Sequence, residues 1–150
     1  MKIELISNDR RAVYYKLLKT AGIADTEVVD ESIVAGVMLG DQPVGIVIAG
    51  MEEENMYLNR VWVLPEHRCQ KIGTALVERL VSECILRDVE AIHFIQSQLL
   101  PKDAYEIDDI YLENEGIKKF FEKNDFFVAE EIVSEGESDT VIMSGSRVLF

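Results

Sequence analysis

The segment His67-Arg68-Cys69-Gln70-Lys71-Ile72-Gly73-Thr74 holds the residues whose types and spacing could do the most specific chemistry. It follows the apolar, β-rich run Val61–Trp62–Val63–Leu64 and precedes a stripe at Ile72, Leu76, Val77, Leu80, Val81, Cys84 and Ile85. That stripe has the one-face spacing of a 3.6-residue period, so the pattern reads strand, tight basic turn, helix. Pro65 removes a backbone donor and ends the sheet pairing. The first amides of such a helix have no acceptor within the helix, and its dipole adds partial positive charge at the same end. Arg68 and Lys71 add whole charges. The combination suits a phosphate or pyrophosphate. A βα turn also needs polar residues for solubility alone, and solvated Arg and Lys would serve that purpose equally.

The other reactive side chains are scattered. Two histidines and two cysteines lie far apart in the chain, a spacing that forms no metal site. His67 precedes the basic turn and His93 falls in a later strand; a lone histidine at either place is more often packing or hydrogen-bonded structure. Cys84 belongs to the apolar face of its helix and reads as core. Two thiols without regular spacing fit reduced cysteines in an intracellular, cytoplasmic protein.

The elements that would position this turn follow in order. Lys2 to Ser7 alternates as a first strand, and Asn8 or Asp9 can cap a helix over about 10–21 that Gly22 stops. Residues 23–32 fit a short second helix. Ile33–Leu39 and Val44–Ala49 form a hairpin around Gly40-Asp41-Gln42-Pro43, and their continuous apolar character implies a sheet covered on both faces. The turn Glu52–Asn55 leads into the strand before the basic loop. A fifth strand is expected at Ala91–Gln96, a last helix at about 114–124, and final strands at roughly 126–133 and 139–149. No repeat or linker interrupts the chain, so one domain over 1–150 is expected.

Composition narrows the function class. With 48% hydrophobic and 29% charged residues, the 150-residue chain is globular and large enough for a core. Its apolar runs are shorter than the ~20 residues that span a bilayer, so no membrane partner is expected. The net charge of −13 argues against a nucleic-acid partner, which needs a basic footprint. Thirteen acids stand against three lysines between Asp103 and Asp139. Such a tract either solubilises the surface or attracts a cationic amine.

Val63-x-Pro65-x-x-Arg68-x-x-x-Ile72-Gly73-Thr74-Ala75-Leu76 resembles the acetyl-CoA loop of the GNAT superfamily of N-acetyltransferases, usually V-x-P-x-x-R-G-x-G-I-G-x-x-L. Asn114-x-x-Ile117-x-x-Phe120-Phe121-Glu122-Lys123-x-x-Phe126 is similar to that family's N-x-x-A-x-x-L-Y-E-K-x-G-F. The blocks stand in the family's order. The resemblance implies an α/β (α+β) fold, with a central mixed, mostly antiparallel sheet of six to seven strands flanked by about four helices. It also implies direct transfer of acetyl from acetyl-CoA to a primary amine (a small amine, a polyamine or a protein amino group) in a ternary complex. In this reading Arg68, Cys69, Gln70, Lys71, Ile72, Gly73 and Thr74 hold the pyrophosphate. The backbone of Trp62 and Val63 pairs the pantetheine arm, and Asn114 reaches the arm from the other side. Homodimers are common in the family.

The departures from the family pattern fall at informative places. Cys69 and Lys71 stand where glycine is usual, and glycine is favoured there because it accepts positive φ. Asp125 replaces the glycine before Phe126. Phe121 occupies the position of the family's frequent general acid, a tyrosine, and cannot donate a proton. Tyr111 and Tyr105 are the nearest replacements. They lie in 97–113, about a dozen residues longer than the family connection, whose acids (Asp103, Glu106, Asp108, Asp109) could face a substrate amine. Asn59, near the expected reaction centre, cannot act as a base but can orient water. Glu54 reads as a solvated turn residue. The alternative function is a degenerate domain that binds coenzyme A without turnover.

Overall fold

The apolar runs become strands of one mixed sheet in the computed structural model, which describes residues 1–20, 22, 33–68, 70–96, 105–106, 114–136 and 138–150. The elements are β1 (Lys2–Leu5), α1 (Arg11–Thr20), β2 (Ile33–Leu39), β3 (Gln42–Glu52), β4 (Asn55–Val63), α2 (Ile72–Leu86), β5 (Ala91–Gln96), β6 (Tyr105–Glu106), α3 (Asn114–Lys123), β7 (Phe127–Glu135) and β8 (Ser138–Val148). Seven strands lie in the order β1-β2-β3-β4-β5-β8-β7, and β6 pairs with β4 off that path. Neighbours are antiparallel except at β4–β5 and β4–β6, which are parallel. The expected mixed, mostly antiparallel α/β architecture is therefore present. Three α-helices flank it among the described residues; the expected helix within 23–32 lies outside them.

Both faces of the central strands are covered, as their unbroken apolar runs require. Helix α1 sets Tyr14, Leu17 and Leu18 against Val34, Met38, Ile46, Ile48 and Trp62 on one face. Helices α2 and α3 cover the other, where Leu76, Leu80, Phe120 and Phe121 meet Val47, Val61, Ile92 and Phe94. Gly45 permits the close fit beneath α2: a Cβ there would lie 3.0 Å from Ile72 and 3.2 Å from Leu76. Gly36 does the same for the Tyr14 ring on the opposite face.

Several local expectations change. The β2–β3 hairpin turns on Gly40 and Asp41 alone, with Leu39 paired to Gln42, so Gln42 and Pro43 belong to β3. Gly40 supplies the positive φ that a two-residue turn needs, at +60°. A 3-10 turn over Asn8–Arg10 precedes α1 where a direct cap was expected. Ile85 is 43% exposed and leaves the buried stripe of α2, which ends at Cys84. Burial pushes the Cys84 thiol up to about 11, the value of an inert core cysteine.

Candidate active site

The basic turn forms as a 3-10 turn at Pro65–His67 followed by a bend into α2. Lys71 is the residue before the helix and takes a left-handed conformation, φ +65° and ψ +19°. This is the geometry for which glycine is favoured, here imposed on a side chain. A left-handed residue followed by a helical one turns successive amides toward a common concavity, an anion nest. The helix ladder starts with Ala75, whose N–H donates to the Lys71 carbonyl at 3.1 Å. In any α-helix the amides ahead of the first such bond are directed toward the N-terminal turn. The Lys71 side chain is exposed beside them. Asp125, at the family's second glycine position, also has positive φ, +67°.

Arg68 is placed differently from a simple phosphate ligand. Its Nε donates to the Val63 carbonyl at 2.9 Å, and its guanidinium lies 5.7 Å from the centre of the Trp62 ring. The residue thus fastens the end of β4 to the turn. Buried Asn124 fastens the far side: its Nδ2 donates to the Phe120 carbonyl at 2.9 Å and reaches Thr74 Oγ1 at 3.4 Å. Arg147 on β8 donates to Glu78 on α2 at 2.8 Å and to the Asn124 carbonyl at 3.1 Å. Together these contacts hold the first turn of α2 against the end of α3. Sequence reasoning missed Asn124 and Arg147, whose roles arise from tertiary contacts rather than from a motif.

Strand β4 carries the second part of the site. It pairs with β5 only at Met56–Ile92 and Tyr57–His93. Opposite, Leu58 pairs with Ala49 and Arg60 with Ile48, which leaves Asn59 as the extra residue of a β-bulge, exposed to solvent. Beyond the bulge, β6 lies along the edge that β5 has left, with Val61 opposite Tyr105 and Trp62 opposite Glu106. A segment from the inserted stretch thus holds the strand edge that the resemblance reserves for the pantetheine arm. Val63 is buried, and the next amide, Leu64, donates to Val44 at 2.8 Å.

The remaining expected residues divide as follows. Asn114 opens α3, in the family's place. Gln70 is exposed in the bend before Lys71, and Ile72 and Gly73 are buried in the first turn of α2. Cys69 and Tyr111 lie outside the described residues. Phe121 is 0% exposed and stacks on Phe94 with ring centres 3.7 Å apart, so the position of the family's acid is core. Glu54 sits in the β3–β4 turn with φ +117°. Among the described residues no group of His, Cys, Asp and Glu could hold a metal ion. None of the described helices is long and apolar enough to cross a membrane.

The residues that the resemblance names thus gather at two places, the end of β4 and the start of α2. A profile described as the acetyltransferase (GNAT) family matches residues 4–105. The chain belongs to that family. Solved structures agree in fold. An aminoglycoside 6'-N-acetyltransferase complexed with coenzyme A superposes with TM-score 0.74 and 16% identity, over 100% of this chain and 98% of its own. The aminoglycoside 6'-N-acetyltransferase from Enterococcus faecium gives 0.75 and 15%, with the same coverage. The ribosomal-protein-S18-alanine N-acetyltransferase from Escherichia coli gives 0.65 and 16%, over 95% of this chain and 91% of its own. No curated protein sequence matches the chain.

Proposed function

We propose that this protein transfers the acetyl group of acetyl-CoA directly to a primary amine held in the same complex. The observation that carries the reading is the left-handed Lys71 at the start of α2, which rebuilds the anion nest without the usual glycine. In this reading the amides from Gln70 to Thr74 and the Lys71 side chain receive the diphosphate, with Arg68 fastening the turn to the end of β4. The edge of β4 at Trp62 and Val63, from which β6 would have to yield at Trp62, receives the pantetheine arm, as a sheet edge receives a peptide. The neutral amine attacks the thioester carbon, the new C–N bond forms, the nitrogen gives up one proton to a base or water, and the C–S bond breaks to release coenzyme A as thiolate. A main-chain N–H near Val63 would stabilise the negative charge on the carbonyl oxygen. The acceptor is a small or peptide amine, favoured by the acidic surface if it is cationic.

A second reading is a domain that binds coenzyme A without turnover. Two observations favour it: β6 holds the edge of β4 at Val61 and Trp62, and Phe121 is sealed in the core. A thermal-shift titration with acetyl-CoA tests binding, because a ligand specific to the native state raises the melting temperature. Thiol release with a panel of spermidine, kanamycin and a short peptide with a free amino terminus tests turnover. A saturable shift with transfer to a panel amine supports the first reading. A shift without transfer supports the second, and no shift refutes both.

A further inference from the structure

We propose that His93, seated against Tyr57 where β4 and β5 part, takes the proton released by the attacking amine. The inference rests on the acetyl-transfer reading and adds to it the proton acceptor. A chain reaching from a diphosphate to a thioester sulfur through a pantetheine arm has about a dozen bonds, or about four residues' worth of extended backbone. Laid along β4 from Val63 toward its start, in place of β6 at Trp62 and Val61, that length ends beside Asn59, the bulged residue. Tyr57 lies two residues further, about 7 Å along a strand. Its register partner across the last β4–β5 pair is His93. A proton passing from an amine at Asn59 to that ring pair needs direct contact or one bridging water.

The competing groups are in the wrong places. Phe121 has no atom that can accept a proton and is sealed against Phe94. His67 belongs to the 3-10 turn at the diphosphate end of the arm. Glu54 sits in the turn at the other end of β4. Asn59 has no basic nitrogen. Histidine is the side chain whose ordinary titration falls between pH 5 and 8, which a phenol's does not.

The surroundings of His93 leave its ring available. Ile92 and Phe94 are buried under α2 and α3, so the alternation of β5 puts His93 on the opposite face. The ring is half-buried, with its centre 5.5 Å from that of Tyr57, inclined at 42°. Among the described residues it makes no hydrogen bond or ion pair. Tyr57 on β4 is the titratable neighbour, Ser146 on β8 is its cross-strand partner, and Arg60 is the charged residue on the same face of β4. The contact with Tyr57 is invisible to sequence patterning, because it depends on one pair of parallel register.

The test compares wild type, His93→Gln and His93→Ala as full chains, by calorimetry with acetyl-CoA and by the pH dependence of kcat/KM with the fastest panel amine. The expected result is acetyl-CoA affinity within about twofold of wild type, with kcat lower by about 10² to 10⁴. The acid limb of the wild-type profile disappears in His93→Gln, and added imidazole restores part of the rate of His93→Ala. A packing role would give neither the lost limb nor the rescue. Transfer by His93→Gln with the wild-type profile and rate overturns the role of His93 and leaves acetyl transfer standing. Acetyl-CoA binding without transfer by wild type to any panel amine overturns both.

Discussion

Replacing Lys71 with glycine separates two consequences of one residue. A side chain in the left-handed region costs about 1–2 kcal/mol relative to the right-handed one. Lys71 bears that cost at φ +65°. Glycine removes it but adds unfolded-state freedom worth about 0.4–1 kcal/mol. The balance stabilises Lys71→Gly by about 0.5–1 kcal/mol, which at roughly 2–4 °C per kcal/mol for a chain of this size raises the melting temperature by about 1–4 °C. The same substitution removes a positive charge beside the nest and weakens acetyl-CoA binding by about two- to fivefold at low salt. That loss shrinks as salt screens the contact. Lys71→Ala is the control: it loses the charge and keeps the strain, so its affinity falls equally while its melting temperature does not rise. Thermal denaturation and calorimetry at two salt concentrations read both effects. Equal melting temperatures for the glycine and alanine variants would refute the strain argument. Unchanged affinity at low salt would refute the placement of Lys71 beside the diphosphate.

Restoring the family's tyrosine with Phe121→Tyr puts a hydroxyl into the aromatic cluster with Phe94, Phe120 and Phe126; urea denaturation is expected to show a loss of about 1–3 kcal/mol, with no gain in rate. A faster enzyme would contradict the core assignment. A Tyr105→Pro/Glu106→Pro double variant removes whichever of the two alternating amides β6 turns toward β4, so calorimetry is expected to show acetyl-CoA binding tighter by about three- to tenfold. Unchanged affinity would mean that β6 and the ligand do not share that edge. Glu4 is held below the usual carboxylate range by hydrogen bonds from Arg10 and, with burial opposing, from the Tyr14 hydroxyl. A depressed carboxyl stabilises the fold above its unfolded value of about 4.3 and loses that stabilisation as pH falls through the lower folded value. Glu4→Gln is therefore less stable than wild type in urea at pH 7, and the gap closes below about pH 4.

The parts legible in the sequence are those set by local periodicity. Ala91–Gln96 is β5 with no change of boundary, and the spacing from Ile72 to Cys84 is the buried face of α2. Lys71 stands where the family's glycine accepts positive φ, and the turn keeps that geometry with a side chain in place. What local pattern did not reveal depends on pairing between distant segments. The Asn59 bulge exists only relative to Ile48 and Ala49 on β3. Arg68 reads as a phosphate ligand until Val63 and Trp62 are seen to engage it. Ile85 has the right spacing for the core, but its position on α2 faces solvent. The β6 strand has too few residues for any period to register.

The most direct test is an amide-resolved NMR titration of the full chain with acetyl-CoA. The proposed site predicts saturable shifts concentrated at the amides of Gln70 to Thr74, with Trp62 and Val63 following at the same concentration. Saturable shifts that avoid the start of α2, or none at any concentration, would contradict it.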